Sequence, residues 1–109
     1  MGAIMKKNNQ PVDRQQLLID LYTQYLFGKI TLGQLLSYLR KNVLGLSQEK
    51  YAEMVGISRR TLTDVEQDKG QLTQVVLDKV FKPLGLKTGL VPTHEHIIHK
   101  IIQSSNCHD

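Results

Sequence analysis

Residues Gln48 to Gln67 read QEKYAEMVGISRRTLTDVEQ and carry the clearest structural pattern in the chain. Gly56 stands near their middle, where a tight turn needs a left-handed backbone that glycine adopts without steric cost. The small side chain of Ala52 leaves room for a second helix to cross close to a first. The stretch therefore predicts two short helices that pack through its apolar and small positions: Tyr51, Ala52, Val55, Ile57, Leu62 and Val65.

The outer side of the second predicted helix is polar and carries Arg59, Arg60, Thr63 and Asp64. A helix-turn-helix with such a second helix has the shape that enters a DNA major groove. A guanidinium group matches the O6 and N7 acceptors of guanine, so we predict base contact by at least one of the two arginines; the alternative is a solvated face that touches only phosphates. Thr63 is expected to touch a thymine methyl or a phosphate. Asp64 either accepts from a cytosine amine or, as we favour, orients Arg60 four residues before it.

Apolar periodicity divides the rest of the chain. Residues 1–11 are expected to be a flexible polar lead, and residues 12–30 an N-terminal helix. Residues 31–85 then form the helix-turn-helix domain, in which Thr31, Ser47, Ser58 and Thr73 are the predicted N-caps. Within residues 86–109, LKTGLV (86–91) is too short and too glycine-broken for a helix and is predicted to be a short strand. A final helix, from His94 to about Gln103, is expected to follow.

Composition narrows the function. The chain has 109 residues, a formal net charge of +4 and a pI near 9.3, which favours a polyanionic partner only slightly. No apolar run approaches a membrane span, and the N-terminus does not look like a secretory signal. The lone Cys107 fits a reducing cytoplasm. No catalytic set or phosphate-binding loop is evident, so we expect a cytoplasmic protein that is not an enzyme and uses no cofactor.

The histidines near the C-terminus raise the question of a metal site. A structural zinc site needs about four converging ligands, and the spacing here does not supply them. We therefore expect no metal and interpret the region as a solvated helix face with a frayed tail. The alternative is a pH-sensitive dimer contact. The residues concerned are His94, Glu95, His96, His99, Cys107 and His108.

Residues 32–85 resemble the lambda-repressor-like, or Cro/XRE-type, helix-turn-helix family. The resemblance rests on Leu39-Arg40-Lys41, Gly45-Leu46-Ser47-Gln48-Glu49, Tyr51-Ala52-Glu53, Val55-Gly56-Ile57-Ser58-Arg59, Thr61-Leu62, Val65-Glu66 and Leu84-Gly85. The chain departs from the family pattern in three places. One extra residue lies between Arg40 and Gly45, which predicts a longer first loop. Tyr51 stands where a smaller or purely apolar residue is common, and Asp68 stands where an early glycine is usual.

The resemblance implies roles for further residues. Gln48 would hydrogen-bond a phosphate or a base edge and steady the helix ahead of it, next to Ser47 at a helix N-terminus suited to phosphate. Thr61 and Lys69 are phosphate candidates by family position, although Lys69 also fits a simple solvated loop. Arg40 and Glu66 would form a structural ion pair between the first helix of the domain and the recognition helix.

These features together predict an all-α, lambda-repressor-like bundle with an extra N-terminal helix, a short C-terminal strand and a final helix. The expected function is a dimeric transcriptional repressor that reads a short DNA palindrome with Arg59–Gln67 and associates with the nucleoid through DNA. Residues 86–109 are the expected dimerisation segment. The alternative is an antitoxin. With a strand at residues 86–91 in place of the family's usual last helix, the chain is similar to the antitoxin partners of HipA-type kinase toxins, in which a strand after the helices pairs with its twofold mate. A third hypothesis, a module used only for protein contact, does not explain the exposed arginine pair.

Overall fold

The computed structural model describes residues 13–106, and all regular structure in that range is helical. The predicted flexible lead at residues 1–11 lies outside the described residues, as do Cys107 and His108. The predicted all-α fold is confirmed for the described range. Its helices are α1 (Arg14–Leu26), α2 (Leu32–Leu39), α3 (Gln48–Val55), α4 (Arg59–Glu66), α5 (Gln74–Phe81) and α6 (Glu95–Asn106).

The helices begin where the sequence supplies a cap. In five of them the side chain of the residue before the helix accepts a hydrogen bond from the backbone N–H three positions on. Each such bond satisfies a donor that the helix itself leaves free and contributes about 1 kcal/mol. The capping residues are Asp13, Thr31, Ser47, Ser58 and Thr73.

The extra residue after Arg40 does not lengthen a loop. The chain continues from α2 into a π-helical turn, Arg40–Leu44, and the N–H of Leu46 still reaches the Arg40 carbonyl at 3.2 Å. A π-turn takes one more residue than an α-turn, so it absorbs an insertion without unwinding the helix before it. The prediction of a longer first loop is therefore wrong, and Arg40 keeps its position directly after the buried Leu39.

The core lies where α1, α2, α4 and α5 meet, with Tyr51 of α3 completing it. Tyr51 is fully buried, and its hydroxyl donates to the carbonyl oxygen of Val80 in α5. Burial raises the pKa of Tyr51 to about 12. A tyrosine in place of the smaller or purely apolar residue that is common at this position thus adds a hydrogen bond between α3 and α5. The other fully buried large side chains are Leu21, Leu35, Leu36, Leu39, Leu62, Val65 and Val80.

Residues 86–91 do not form the predicted strand. The segment has no regular structure, because no second strand lies beside it among residues 13–106 to complete a ladder. Leu86 instead packs against the core, whereas Leu90 is fully exposed. In α6, Ile98 is buried, and the ring of His99 lies 4.6 Å from that of Phe27 at the end of α1.

Thr88 links residues 86–91 to α5 through two hydrogen bonds. Its backbone N–H and its hydroxyl donate to Asp78 Oδ1 at 3.0 and 2.8 Å. Both bonds hold the pKa of Asp78 below its ordinary value, and the backbone N–H bond has the larger effect. Because the folded-state pKa is lowered, these bonds stabilise the fold above the unfolded-state pKa, and the contribution is lost as the pH falls through the folded-state value.

Replacing Thr88 by valine is expected to raise the pKa of Asp78 part of the way towards its ordinary value. The variant removes the hydroxyl but keeps the backbone N–H, which is the larger cause of the shift. The carboxyl ¹³C signal of Asp78, followed by NMR across an acid titration, measures the change. Thr23→Val on the exposed side of α1 is the control and leaves Asp78 unaltered. An unchanged pKa in Thr88→Val contradicts the proposed fastening.

Candidate nucleic-acid interface

The turn between α3 and α4 is as tight as the sequence predicts. Gly56 has a φ of 79°, and the N–H groups of Gly56 and Ile57 both donate to the Ala52 carbonyl, at 3.0 and 3.1 Å. Ala52 itself is 3% exposed. Ser58 then caps α4 by accepting from the Thr61 N–H at 3.0 Å. Glycine and alanine at these two positions therefore let α4 start immediately after the turn.

The start of α4 presents its basic side chains to solvent. Arg59 and Arg60 are exposed, whereas Leu62 and Val65 on the opposite face are fully buried. The Arg59 side chain is 63% exposed and lies 3.8 Å from Glu49 of α3. Helix α4 is thus anchored along one face and carries two cations at its exposed N-terminal end.

Arg60 and Asp64 do not form the predicted pair. The structure describes both residues and has no ion pair between them; the exposed ion pair of this region joins Arg59 to Glu49 instead. A solvent-exposed ion pair gains little over hydration, so spacing by four residues does not by itself hold two side chains together. The half-buried Asp64 uses its backbone carbonyl to accept from the Lys69 N–H at 2.8 Å.

The structure brings Arg40 and Glu66 together in a buried, bidentate ion pair. Arg40 Nε lies 2.6 Å from Glu66 Oε2, and Nη2 lies 3.0 Å from Oε1. The third guanidinium nitrogen donates to the Leu46 carbonyl at 2.7 Å. One arginine therefore ties the end of α2 and the loop before α3 to the last residue of α4.

Gln48 extends this hydrogen-bond network to the middle of α4. Its side-chain amide donates to Glu66 Oε1 at 2.9 Å, and its amide oxygen accepts from the Thr63 hydroxyl at 3.3 Å. Gln48 and Thr63, both predicted DNA contacts, are thus joined to each other inside the protein. Both hydrogen bonds join the start of α3 to α4.

The remaining predicted phosphate contacts are Ser47, Thr61 and Lys69. Ser47 is exposed and caps α3, and Thr61 is half-buried with its hydroxyl 2.9 Å from Ser58 Oγ. Lys69 is exposed in the loop after α4. The rest of residues 13–106 does not bury any of these three side chains.

Sequence reasoning missed the role of Asp68. Its backbone has a φ of 57°, and its carboxylate accepts from the Thr31 hydroxyl at 2.6 Å and from the Gly33 N–H at 2.9 Å. The available signal was its place in the family pattern: an aspartate that replaces a glycine can keep the left-handed backbone and adds a carboxylate.

Residues 13–106 bring no group of three or more histidine, cysteine, aspartate or glutamate side chains into a metal-binding arrangement. The His94 and His96 rings lie 5.6 Å apart, and His99 approaches Glu95 at 4.0 Å. The helices within residues 13–106 all lack the length and the apolar composition that a membrane-spanning helix requires.

The anchored α3–turn–α4 unit, with its exposed basic tip, defines a helix-turn-helix protein. The helix-turn-helix family model HTH_3 matches residues 36–91, just over half of the chain, and the chain belongs to this family. The resemblance predicted from the sequence is thereby confirmed, and a domain of this family indicates a DNA-binding transcription regulator. Searches of curated proteins and of solved structures gave no significant match. Helices α1 and α6 lie outside the matched residues.

Proposed function

We propose that the protein is a sequence-specific transcriptional repressor that acts as a homodimer and inserts α4 into the major groove. The observation that supports this most strongly is the exposure of Arg59 and Arg60 at the start of a helix whose opposite face is buried. Base recognition requires side chains that reach the base edges from a rigid helix.

The proposed contacts divide into two kinds. Arg59 and Arg60 read base edges, and Asp64, which is not paired with Arg60, accepts from a cytosine amine. Contacts to phosphate set the register of the protein on DNA without reading the sequence. The residues proposed for phosphate or mixed contacts are Ser47, Gln48, Thr61, Thr63 and Lys69.

Two copies are proposed because one short helix reads only a few base pairs and binds poorly at physiological salt. A twofold dimer places two recognition helices about 34 Å apart, one turn of DNA. Residues 86–109 are the proposed dimerisation segment, since the C-terminal part of the chain carries a run of large apolar side chains on its surface. Their exposure ranges from 37% to 103%, and they are Leu90, Val91, Ile97, Ile101 and Ile102.

Selection of bound DNA from a random pool, at a stated salt concentration, tests this function. The expected product is a palindrome with half-sites about one turn apart. Sedimentation of the free protein then tests the dimer separately. A pool that shows no enrichment over random sequence contradicts sequence-specific binding, whereas an enriched, non-palindromic site on a monomer contradicts only the dimer.

Replacing Arg60 by alanine is expected to weaken operator binding by about 1–3 kcal/mol and to relax one operator position in each half-site. Titrations against the selected operator and a library randomised at each position measure both effects. Arg14→Ala, an exposed arginine at the start of α1, is the matched control and should change neither. Unaltered affinity and unaltered base preference in Arg60→Ala would show that this arginine does not read the operator.

The antitoxin hypothesis stays a prediction. It assigns the partner contacts to the flanking helices α1 and α6, although the strand at residues 86–91 that suggested the similarity is not formed. An adjacent gene for a kinase-like or nuclease-like protein favours it, and co-purification of that gene product with the intact chain tests it.

A further inference from the structure

The end of the recognition helix rests directly on the backbone of α2. A Cβ atom added to Gly33 lies 2.5 Å from the carbonyl oxygens of both Val65 and Glu66. These two carbonyls belong to the last turn of α4, so the helices touch there without an intervening side chain. A backbone contact of this kind sets the distance between two helices, but it does not by itself set the angle at which they cross.

Asp68 supplies a directional link at the same place. One carboxylate oxygen accepts from the Thr31 hydroxyl and the other from the Gly33 N–H, so both hydrogen bonds run from the loop after α4 to the start of α2. The Thr31 hydroxyl also accepts from the Gln34 N–H at 3.1 Å and thereby caps α2. A carboxylate at a helix N-terminus is favoured by the helix dipole, and hydrogen bonds to it are stronger than neutral ones.

We infer that Asp68 is a positioning residue for DNA recognition. Together with the Arg40–Glu66 pair at the other end of α2, it sets the angle of α4 against α2 without touching DNA itself. The inference rests on the proposed function. An eight-residue helix is about 12 Å long, so a tilt of about 10° at its C-terminal end displaces the N-terminal arginines by about 2 Å. Such a displacement exceeds the tolerance of a preorganised binding site, which is about 0.5 Å.

The backbone of Asp68 allows its carboxylate to be tested alone. At a φ of 57°, glycine replaces aspartate without steric cost, so Asp68→Gly removes the two hydrogen bonds and leaves the turn intact. Asp68→Asn also tolerates this backbone and keeps an oxygen that accepts from the Gly33 N–H. The matched control is Asp13→Ala, which removes a capping carboxylate from α1, away from the recognition helix.

The experiment measures affinity for the selected operator at a temperature at which far-ultraviolet circular dichroism shows every variant to be folded. Asp68→Gly is expected to bind about tenfold more weakly, with Asp68→Asn between it and the wild type, because α4 is then no longer held at the binding angle before it meets DNA. Asp13→Ala should bind as the wild type does. A folded Asp68→Gly variant with wild-type affinity and base preference would overturn the inference.

A second measurement does not depend on DNA. Residual dipolar couplings of the backbone N–H groups report the angle between α2 and α4 in the free protein. The inference predicts that this angle changes or becomes averaged in Asp68→Gly and is preserved in Asp13→Ala. If the wild type fails to select any DNA sequence, the proposed function is wrong. If the couplings are identical in Asp68→Gly and the wild type, Asp68 does not set the angle between α2 and α4.

Discussion

Gly33→Ala is expected to lower the free energy of unfolding by about 3 kcal/mol, at the upper end of the usual cost of overpacking. The added methyl group meets the carbonyl oxygens of Val65 and Glu66 at 2.5 Å and Asp68 Oδ2 at 2.8 Å. Two of these three atoms belong to backbone, which cannot rotate away as a side chain does. The helices α2 and α4 must therefore separate, which also loosens the leucine core between them. Urea denaturation followed by circular dichroism measures the loss.

Gly89→Ala is the control for this substitution. A Cβ atom at Gly89 meets nothing within 4 Å, so the same chemical change there is expected to be nearly neutral. The comparison separates steric overlap from the general effect of replacing glycine by alanine. Equal stability of the Gly33→Ala and Gly89→Ala variants would mean that α2 and α4 do not approach as closely as described.

Glu66→Ala is expected to cost about 3–5 kcal/mol, because it leaves the buried guanidinium of Arg40 without its counter-ion. The side chains of the pair are 6% and 5% exposed, and Gln48 loses its acceptor in the same variant. Operator binding should weaken as well, because Gln48, which bonds to both Glu66 and Thr63, then loses one of its two links to α4. Denaturant unfolding gives the stability, and DNA titration at a temperature at which the variant is folded gives the affinity.

Two further variants sharpen this test. Glu49→Ala removes the carboxylate of the exposed pair with Arg59, whose side chains are 63% and 78% exposed, and is expected to cost less than about 1 kcal/mol. The double variant Arg40→Met with Glu66→Leu removes both buried charges and is expected to recover part of the lost stability. Recovery stays incomplete because the Leu46 carbonyl loses its donor. If Glu66→Ala costs no more than Glu49→Ala, the buried pair does not hold α2 and α4 together.

The helices and their starts were predictable because both depend on local chemistry. Hydroxyl side chains at Thr31, Ser47 and Ser58 bond to backbone N–H groups only three residues away, and Gly56 tolerates the left-handed backbone that the turn requires. The prediction of a strand at residues 86–91 was wrong, because a strand forms only beside a second strand and the local sequence does not show whether one is present. The conformation of the extra residue after Arg40 could not be predicted from the local sequence either, because both a longer loop and a π-turn can accommodate one additional residue.

The candidate site divides in a similar way. The exposure of Arg59 and Arg60 follows from apolar periodicity, which assigns Leu62 and Val65 to the buried face. Which acid meets which arginine does not follow from it: Arg59 lies beside Glu49, and Arg60 is not paired with Asp64. The DNA contacts of these residues stay predictions.

The helices, the tight turn at Gly56 and the basic tip of α4 were predictable from the sequence, because each depends on residues within one or two helical turns of one another. The strand predicted at residues 86–91 is the exception. Only the tertiary structure showed that Asp68 reaches Thr31 and Gly33 across more than thirty residues. The angle at which the reading helix is held depends on such distant contacts, since hydrogen bonds between remote segments form only after the core has brought them together.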